Sequence, residues 1–276
     1  MIKIRTEMLF QNANMITLVA LIFCLSTTCT HADHVQSRPK VGRIIGGDTA
    51  NAGQFPYIAS IYKSTNAGTY FCAGTLINNQ WILTAGQCVI DGVLFNIRLG
   101  SNHLNDPNAL RLATDQYFLH PDYNPDTLEN DVGLIKFREA IQFTDYVKAI
   151  NFLSSANLTA SASVETAGWG QTSDEDAGLV DELNVVSLVT LSNEECRLTF
   201  GNQITDNMVC AGGNYNEGTC TGDIGGPLIQ TLLGLQLHVG VASFISGRGC
   251  ESTDPSGFTR TAPYVPWIRS ILESTY

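Results

Sequence analysis

Few side chains in this sequence have the types and spacing that catalysis or metal binding requires. After Arg43 the only histidines are His103, in a loop rich in Asn and Asp, His120, in a Leu-His-Pro-Asp-Tyr turn, and His238, in a strand-like segment. The sequence contains no C-x-x-C pair and no His-rich tract, so we expect no zinc site and no other metal or cofactor. Any catalysis must therefore come from single residues that the fold brings together.

The first 43 residues have the pattern of targeting and processing segments. Residues 16–25 are apolar apart from one Thr, follow two basic residues, and are too few to cross a bilayer, which needs about 20. A loosely matching small-residue site ends at Ala32, which predicts a secretory signal peptide over residues 1–32. A membrane anchor is the alternative. Residues 33–43 are polar, basic and lack Cys, which indicates a short propeptide.

The cysteine count and the charge narrow the class of protein. Of eight Cys, six follow the leader, and an even number in a secreted chain predicts three disulfides, with the pairing left open: Cys72, Cys88, Cys196, Cys210, Cys220 and Cys250. With 15 basic and 26 acidic residues the net charge is −11, and it is −14 from residue 44 onward. This charge argues against a protein that binds nucleic acid or an anionic membrane surface. Asn157 begins a candidate glycosylation site.

Short apolar runs separated by turn residues predict an all-β protein. Examples are the segments at 81–83, 132–137 and 239–242, which are separated by Asn-Asn, Asp-Gly and Gly-Gly pairs. The C-terminus differs, because its apolar residues have helical spacing and Pro266 suits a first helical turn. The apolar stripe consists of Tyr264, Trp267, Ile268, Ile271 and Leu272.

Four short motifs occur in a fixed chain order. They are Arg43-Ile44-Ile45-Gly46-Gly47, Thr84-Ala85-Gly86-Gln87-Cys88, Asp131-Val132-Gly133-Leu134-Ile135 and Gly222-Asp223-Ile224-Gly225-Gly226-Pro227. They resemble, in that order, the activation site and the segments that carry the catalytic His, Asp and Ser of chymotrypsin-like serine proteases. The resemblance covers residues 44–276.

The resemblance implies a fold and a way of processing the chain. The implied fold is two antiparallel β-barrels, about residues 44–153 and 154–276, with a C-terminal helix. The implied disulfides are Cys72–Cys88, Cys196–Cys210 and Cys220–Cys250. In the family, cleavage at the position of the Arg43–Ile44 bond frees an amine that pairs with the carboxylate at the position of Asp223. The alternative for Asp223 is a remnant with local partners only.

Two departures from the motifs decide what chemistry the resemblance allows. The nucleophile position holds Ile224, which has no hydroxyl, and the base position holds Gln87, whose amide does not titrate near neutral pH. The mechanism needs a nucleophile, a base and an orienting carboxylate, and only Asp131 fits its role. We expect Gln87, with help from Ser243, to donate hydrogen bonds that keep Asp131 satisfied.

The specificity pocket also differs from that of trypsin-like members. Gly218 takes the place of the pocket-base Asp and resembles chymotrypsin-like and invertebrate collagenase-like members. The implied pocket also includes Ser243, and Ile245 lies at the pocket mouth, where the family has Gly, and should narrow it. Nearby, the acidic residues 174–176 and 181–182 could steer basic partners, although a solvated loop is the more ordinary interpretation.

These observations favour a secreted, monomeric serine protease homologue that acts by binding proteins instead of cleaving them. It would serve as a cofactor, decoy or regulator of extracellular proteolysis, bound to a protease, an inhibitor or a protease substrate. One alternative is an active endopeptidase of chymotrypsin-like specificity, which Gln87 and Ile224 oppose. The other is a vestigial product without a specific partner.

Overall fold

The computed structural model describes residues 46–153, 158–175, 178–213 and 216–274. The predicted signal peptide, the propeptide, the Arg43–Ile44 bond and the glycosylation candidate Asn157 lie outside the described residues. No helix within the described ranges is long and apolar enough to cross a bilayer.

Within these ranges the secondary structure is mostly short strands. The strands are β1 (Asp48–Thr49), β2 (Ile58–Ser64), β3 (Thr69–Leu76), β4 (Trp81–Thr84), β5 (Leu94–Leu99), β6 (Leu110–Thr114), β7 (Tyr117–Leu119), β8 (Gly133–Lys136), β9 (Ser163–Gly168), β10 (Asn184–Thr190), β11 (Met208–Gly212), β12 (Pro227–Leu232), β13 (Leu235–Phe244) and β14 (Ser256–Arg260). The α-helices are α1 (Asn193–Phe200) and α2 (Val265–Ser274), and 3-10 turns cover Gly86–Cys88, Gly201–Gln203 and Ala262–Tyr264. The predicted all-β class with a C-terminal helix is confirmed.

The first sheet is antiparallel and curled, with strand order β6-β5-β2-β3-β4-β8-β7. Its edge strands β6 and β7 are consecutive along the chain, joined through Asp115 and Gln116. The amide of Lys136 in β8 donates to the Gln116 carbonyl at 3.0 Å, and the Thr114 hydroxyl donates to the Lys136 carbonyl at 2.7 Å. The two edges therefore approach each other at this bend, and the sheet has the form of a curled half-barrel.

The second sheet closes into a six-stranded barrel. Its order is β1-β10-β11-β14-β13-β12-β9, and β9 also pairs with β10. The seventh strand, β1, comes from the N-terminal part of the chain, with Asp48 opposite Val185 and Thr49 opposite Asn184. The start of the described chain is thus bound to the second barrel before the first sheet begins.

One hydrophobic core joins the two sheets. Residues of the second sheet, such as Ala167 and Val241, belong to the same buried cluster as Trp81 and Leu134 of the first. Helix α2 packs on this core through the predicted stripe: Tyr264 and Ile268 are buried, while Trp267, Ile271 and Leu272 are half-buried. A separate cluster, which includes Phe258, fills the second barrel. The rigid junction between the sheets is where the site residues lie.

The three disulfides are Cys72–Cys88, Cys196–Cys210 and Cys220–Cys250, which confirms the pairing that the resemblance implied. Helix α1, which carries Cys196, was not predicted from the sequence. Its signal was present nonetheless. Ser192 accepts from the Glu195 amide while the Glu195 carboxylate accepts from the Ser192 amide, which is a capping box.

Candidate functional site

Three loops converge where the two sheets meet. The 3-10 turn Gly86–Cys88 follows β4 and presents Gln87, and the Cys72–Cys88 disulfide joins this turn to β3. Asp131 immediately precedes Val132 and β8. Ser243 lies near the end of β13 in the second barrel. Residues 156 positions apart along the chain are thereby brought into direct contact.

Asp131 is the centre of this site. Its side chain is fully buried, with 0% exposure. Oδ1 accepts from the Gln87 amide at 2.9 Å, while Oδ2 accepts from Gln87 Nε2 and from the Ser243 hydroxyl, each at 2.6 Å. The prediction that Gln87 and Ser243 keep this carboxylate satisfied is confirmed.

The partners of Asp131 set the electrostatics of the site. Burial is the largest influence and raises the pKa of Asp131 above its ordinary value, because a charged carboxylate is costly away from water. The hydrogen bonds from Ser243 and Gln87 act in the opposite direction, and they come from neutral groups. An imidazolium at position 87 would offset a negative charge here, whereas an amide only solvates it.

The side-chain amide of Gln87 has both of its N–H groups committed. Nε2 donates to Asp131 Oδ2 at 2.6 Å and to the Ser243 carbonyl at 2.8 Å. Both neighbours are acceptors, so only the NH₂ end of the amide can lie between them. The group at the base position is therefore fixed as a donor and has no basic nitrogen with which to take a proton.

Ile224 occupies the position that corresponds to the nucleophile in the sequence motif. Its carbonyl accepts from the Ala73 amide of β3 at 2.8 Å, and the next residue, Gly225, donates to the Ala242 carbonyl of β13 at 2.8 Å. These bonds hold the loop between the two sheets. The Ile224 side chain is half-buried and packs on the shared core. A hydrocarbon thus takes the place of a nucleophile.

Asp223 is buried beside Ile224 and held by backbone donors. Oδ1 accepts from the Gly170 amide at 2.8 Å and Oδ2 from the Cys220 amide at 2.9 Å. A Cβ on Gly170 would fall 2.5 Å from Oδ2, so only glycine allows this approach. Burial raises the pKa of Asp223 to about 6. Its predicted pairing with the Ile44 amine involves a residue outside the described ranges.

The Trypsin family profile matches residues 44–268, which include every position described above. This chain belongs to the trypsin family. It is similar to a collagenase of Hypoderma lineatum, with 34% identity over 257 residues, 90% of this chain and 96% of that protein. It is also similar to a brachyurin of Leptuca pugilator, with 30% identity over 229 residues, 82% of this chain and 97% of that protein. A solved structure of HL collagenase has a TM-score of 0.77 and 32% identity, covering 84% of this chain and all of that one.

The pocket positions of this trypsin-family chain lie beside the Cys220–Cys250 disulfide. Gly218 is buried, and a Cβ there would lie 2.7 Å from the Ser256 hydroxyl oxygen, which accepts from the Thr219 amide at 2.9 Å. Ile245 packs against the disulfide. Ser256 was missed in the sequence analysis, since nothing in its local sequence marks it as a neighbour of Gly218.

Each of the three histidines after Arg43 has partners elsewhere. His103 Nδ1 lies 3.1 Å from Asp181 Oδ2, and the His120 ring packs against the rings of Tyr264 and Trp267. His238 is fully buried in β13, with Nδ1 2.8 Å from the Thr261 hydroxyl, and burial lowers its pKa to about 3. None of these contacts involves the residues at the triad positions.

Asp174, in the acidic segment, is exposed and also holds backbone groups of a neighbouring loop. Asp174 accepts from the Cys250 amide at 2.7 Å and from the Glu251 amide at 3.1 Å, so it fastens this segment to the disulfide-bonded loop. Asp174 also lies near the sulfurs of Cys220 and Cys250, but disulfide sulfurs are not thiolate ligands. Within the described ranges this is the one cluster of possible metal ligands, and it does not suit a metal.

Sequence analysis missed a buried cation beneath the site. Lys63 of β2 is only 8% exposed, and its Nζ donates to the Gln87 carbonyl at 2.9 Å and to the Ile90 carbonyl at 3.3 Å. Its ammonium lies 5.5 Å from the centre of the Tyr70 ring, within cation–π range. Burial lowers the pKa of Lys63. A lysine that follows the mostly apolar run at 58–62 was the available signal.

Proposed function

We propose that this trypsin-family protein is a secreted, non-catalytic homologue that acts by binding proteins, as a cofactor, decoy or regulator of extracellular proteolysis. The observation that carries the proposal is the Gln87 amide, fixed as a donor between Asp131 and the Ser243 carbonyl. A base that must accept a proton and return it is thereby replaced by a group that does neither.

The nucleophile position supports the same conclusion independently. Acyl transfer in this family requires a side chain that attacks the scissile carbonyl and forms a covalent intermediate. The Ile224 side chain has no heteroatom. The contacts given for His103, His120 and His238 do not include Ile224. Loss of a single triad member costs several orders of magnitude in rate, and here two are replaced.

What the chain retains suits a binding role. The buried polar groups of the former triad are satisfied by hydrogen bonds, and three disulfides secure the loops around the cleft. Disulfides, together with relatives named collagenase and brachyurin, support an extracellular location. A stable scaffold without turnover can hold a protease, an inhibitor or a protease substrate on its surface.

Processing at Arg43–Ile44 forms part of the proposal. The Asp223 carboxylate is buried with two backbone donors and has a raised pKa, which is an environment that an inserted amine would stabilise. Sequencing of the N-terminus of the protein from its native fluid tests this step. A start at Ile44 supports cleavage, and a chain that begins only near Asp33 refutes it.

Labelling of the secreted protein by a fluorophosphonate probe tests the absence of catalysis. Such probes react with activated serine hydroxyls, so the native chain should not be labelled, before or after cleavage at Arg43. Bovine trypsin in the same sample serves as the positive control. Stoichiometric labelling of the native chain would show an active serine and overturn the proposal.

Affinity capture from the native extracellular fluid tests the binding role. The immobilised wild-type protein should retain a protease, inhibitor or protease substrate reproducibly. A reduced and alkylated sample, which lacks the folded surface, is the control. Recovery of the same proteins on both matrices, or of none on the folded protein, would favour a vestigial product.

A further inference from the structure

A second cavity lies outside the triad positions and the specificity pocket. It has a volume of about 510 Å³, within the range typical of ligand sites, and it is formed by the N-terminal segment 49–58, the loop after β5 and the segment that carries Tyr146. Its lining shares no residue with the site described above. Binding in this cavity therefore does not depend on the proposed loss of catalysis.

The floor of this cavity is apolar. Phe55, Ile58 and Ala50 line it and are almost completely buried. One wall is aromatic: the Tyr146 ring lies against Gly53, at 3.3 Å from the place a Cβ would take, and is 56% exposed. An aliphatic chain could lie along such a floor, with a flat cation against the exposed ring.

The rim of the cavity is acidic. Asp106 and Glu182 both line it. Hydrogen bonds, the largest from the Asn108 amide, lower the pKa of Asp106, so this carboxylate is charged at neutral pH. Two basic residues near Asp106 have contacts of their own: His103 lies 3.1 Å from Asp181, and Arg111 donates to the main-chain carbonyl of Asp106 at 3.3 Å.

We propose that this cavity binds an arginine side chain on an exposed segment of a partner protein. Arginine combines the features the walls select, because it has an aliphatic stem, a planar cation that stacks on tyrosine and a donor fork that matches carboxylates. The charge of −14 on the chain from residue 44 onward draws basic segments to the surface in general. The cavity then selects among them by shape.

The test titrates the isotope-labelled secreted protein with blocked arginine, Nα-acetylarginine N-methylamide, while its amide NMR signals are recorded. Signals of Gly53, Ser101 and Asn102 should shift and saturate. The blocked citrulline analogue has the same shape without the charge and should bind at least about fivefold more weakly, from the strength of exposed ion pairs. Equal binding of the two probes, or shifts confined to other surfaces, would overturn the proposal.

Three variants place the binding in the cavity. Asp106→Asn should weaken the binding of blocked arginine about two- to fivefold. Ala52→Trp, which fills the space without touching the charges, should abolish it. Glu273→Gln in α2 removes the same charge elsewhere and should leave it unchanged. If Asp106→Asn and Glu273→Gln behave alike, or if Ala52→Trp binds normally, the arginine site is refuted.

Discussion

The Gln87 side chain donates to the buried carboxylate of Asp131 across 2.6 Å, a bond between the 3-10 turn after β4 and the segment that precedes β8. In a working member of the family a histidine would make the corresponding contact. Under the proposed non-catalytic role, glutamine at this position removes proton transfer while it preserves the hydrogen bond to the carboxylate. The buried Asp131 side chain then keeps its donors although no cation lies opposite it.

Replacement of Gln87 by leucine should destabilise the protein. Asp131 would lose its side-chain donor while keeping the backbone amide and Ser243, and a buried acceptor left short of a donor costs about 1–3 kcal/mol in the free energy of unfolding. Urea denaturation measures this change. Gln203→Leu, at an exposed position, is the matched control and should change stability by less than about 0.5 kcal/mol. Equal stability of the two variants would contradict the role assigned to Gln87.

Much of this site was predictable because its motifs are local. The segments around Gln87, Asp131 and Ile224 each lie within a few consecutive residues, and their order along the chain identifies the family. The apolar spacing of α2 is equally local. Contacts between distant strands are different, since Lys63 reaches Gln87 only through the pairing of the first sheet. No short-range pattern encodes that contact.

The second cavity illustrates the same limit. Its floor and rim come from segments as far apart as Phe55, Asp106 and Tyr146. No short sequence pattern around any of these residues marks it as part of a cavity. Asp174 shows this limit too: its charge run is typical of a solvated loop and the residue is exposed, but no sequence pattern indicates that it also accepts from the amides of Cys250 and Glu251.

Substitution of Lys63 by methionine should lower the stability of the protein. Methionine fills similar space but leaves the carbonyls of Gln87 and Ile90 without their buried donor, at a cost of about 1–3 kcal/mol. For a domain of this size the melting temperature should fall by roughly 2–4 °C for each kcal/mol. Calorimetry provides the measurement. Lys148→Met, which removes only an exposed pair with Asp145, should have little effect, and a similar loss in both variants would rule out a special role for Lys63.

Restoration of the triad residues alone should give little activity. The double variant Gln87→His, Ile224→Ser regains a base and a nucleophile, but we expect the Ile245 side chain still to narrow the pocket mouth. The further change Ile245→Gly should raise kcat/KM for a small chymotryptic substrate at least about tenfold over the double variant, since pocket contacts carry effects of this size.

The single variant Ile245→Gly separates the effect of the replaced triad residues on activity from the effect of the pocket. The protein that carries only Ile245→Gly should be inactive, because it lacks the base and the nucleophile. Robust cleavage by the double variant would show that Ile245 does not obstruct the pocket.

The buried carboxylate of Asp223 predicts a pH dependence whose sign reports cleavage at Arg43. In the uncleaved chain its pKa is raised from 3.8 to about 6, so the folded protein binds more protons than the unfolded chain between these values. The free energy of unfolding should therefore fall as pH rises from about 4 to 6, by roughly 3 kcal/mol from this group. After cleavage, an inserted amine would lower the pKa of Asp223, and stability should instead be lost as pH falls.

Urea titrations of the Arg43→Gln protein, which cannot be cut there, and of the cleaved protein measure both slopes. Asp223→Asn isolates the contribution of this residue. Identical slopes in all three proteins would show that Asp223 does not cause the pH dependence of stability.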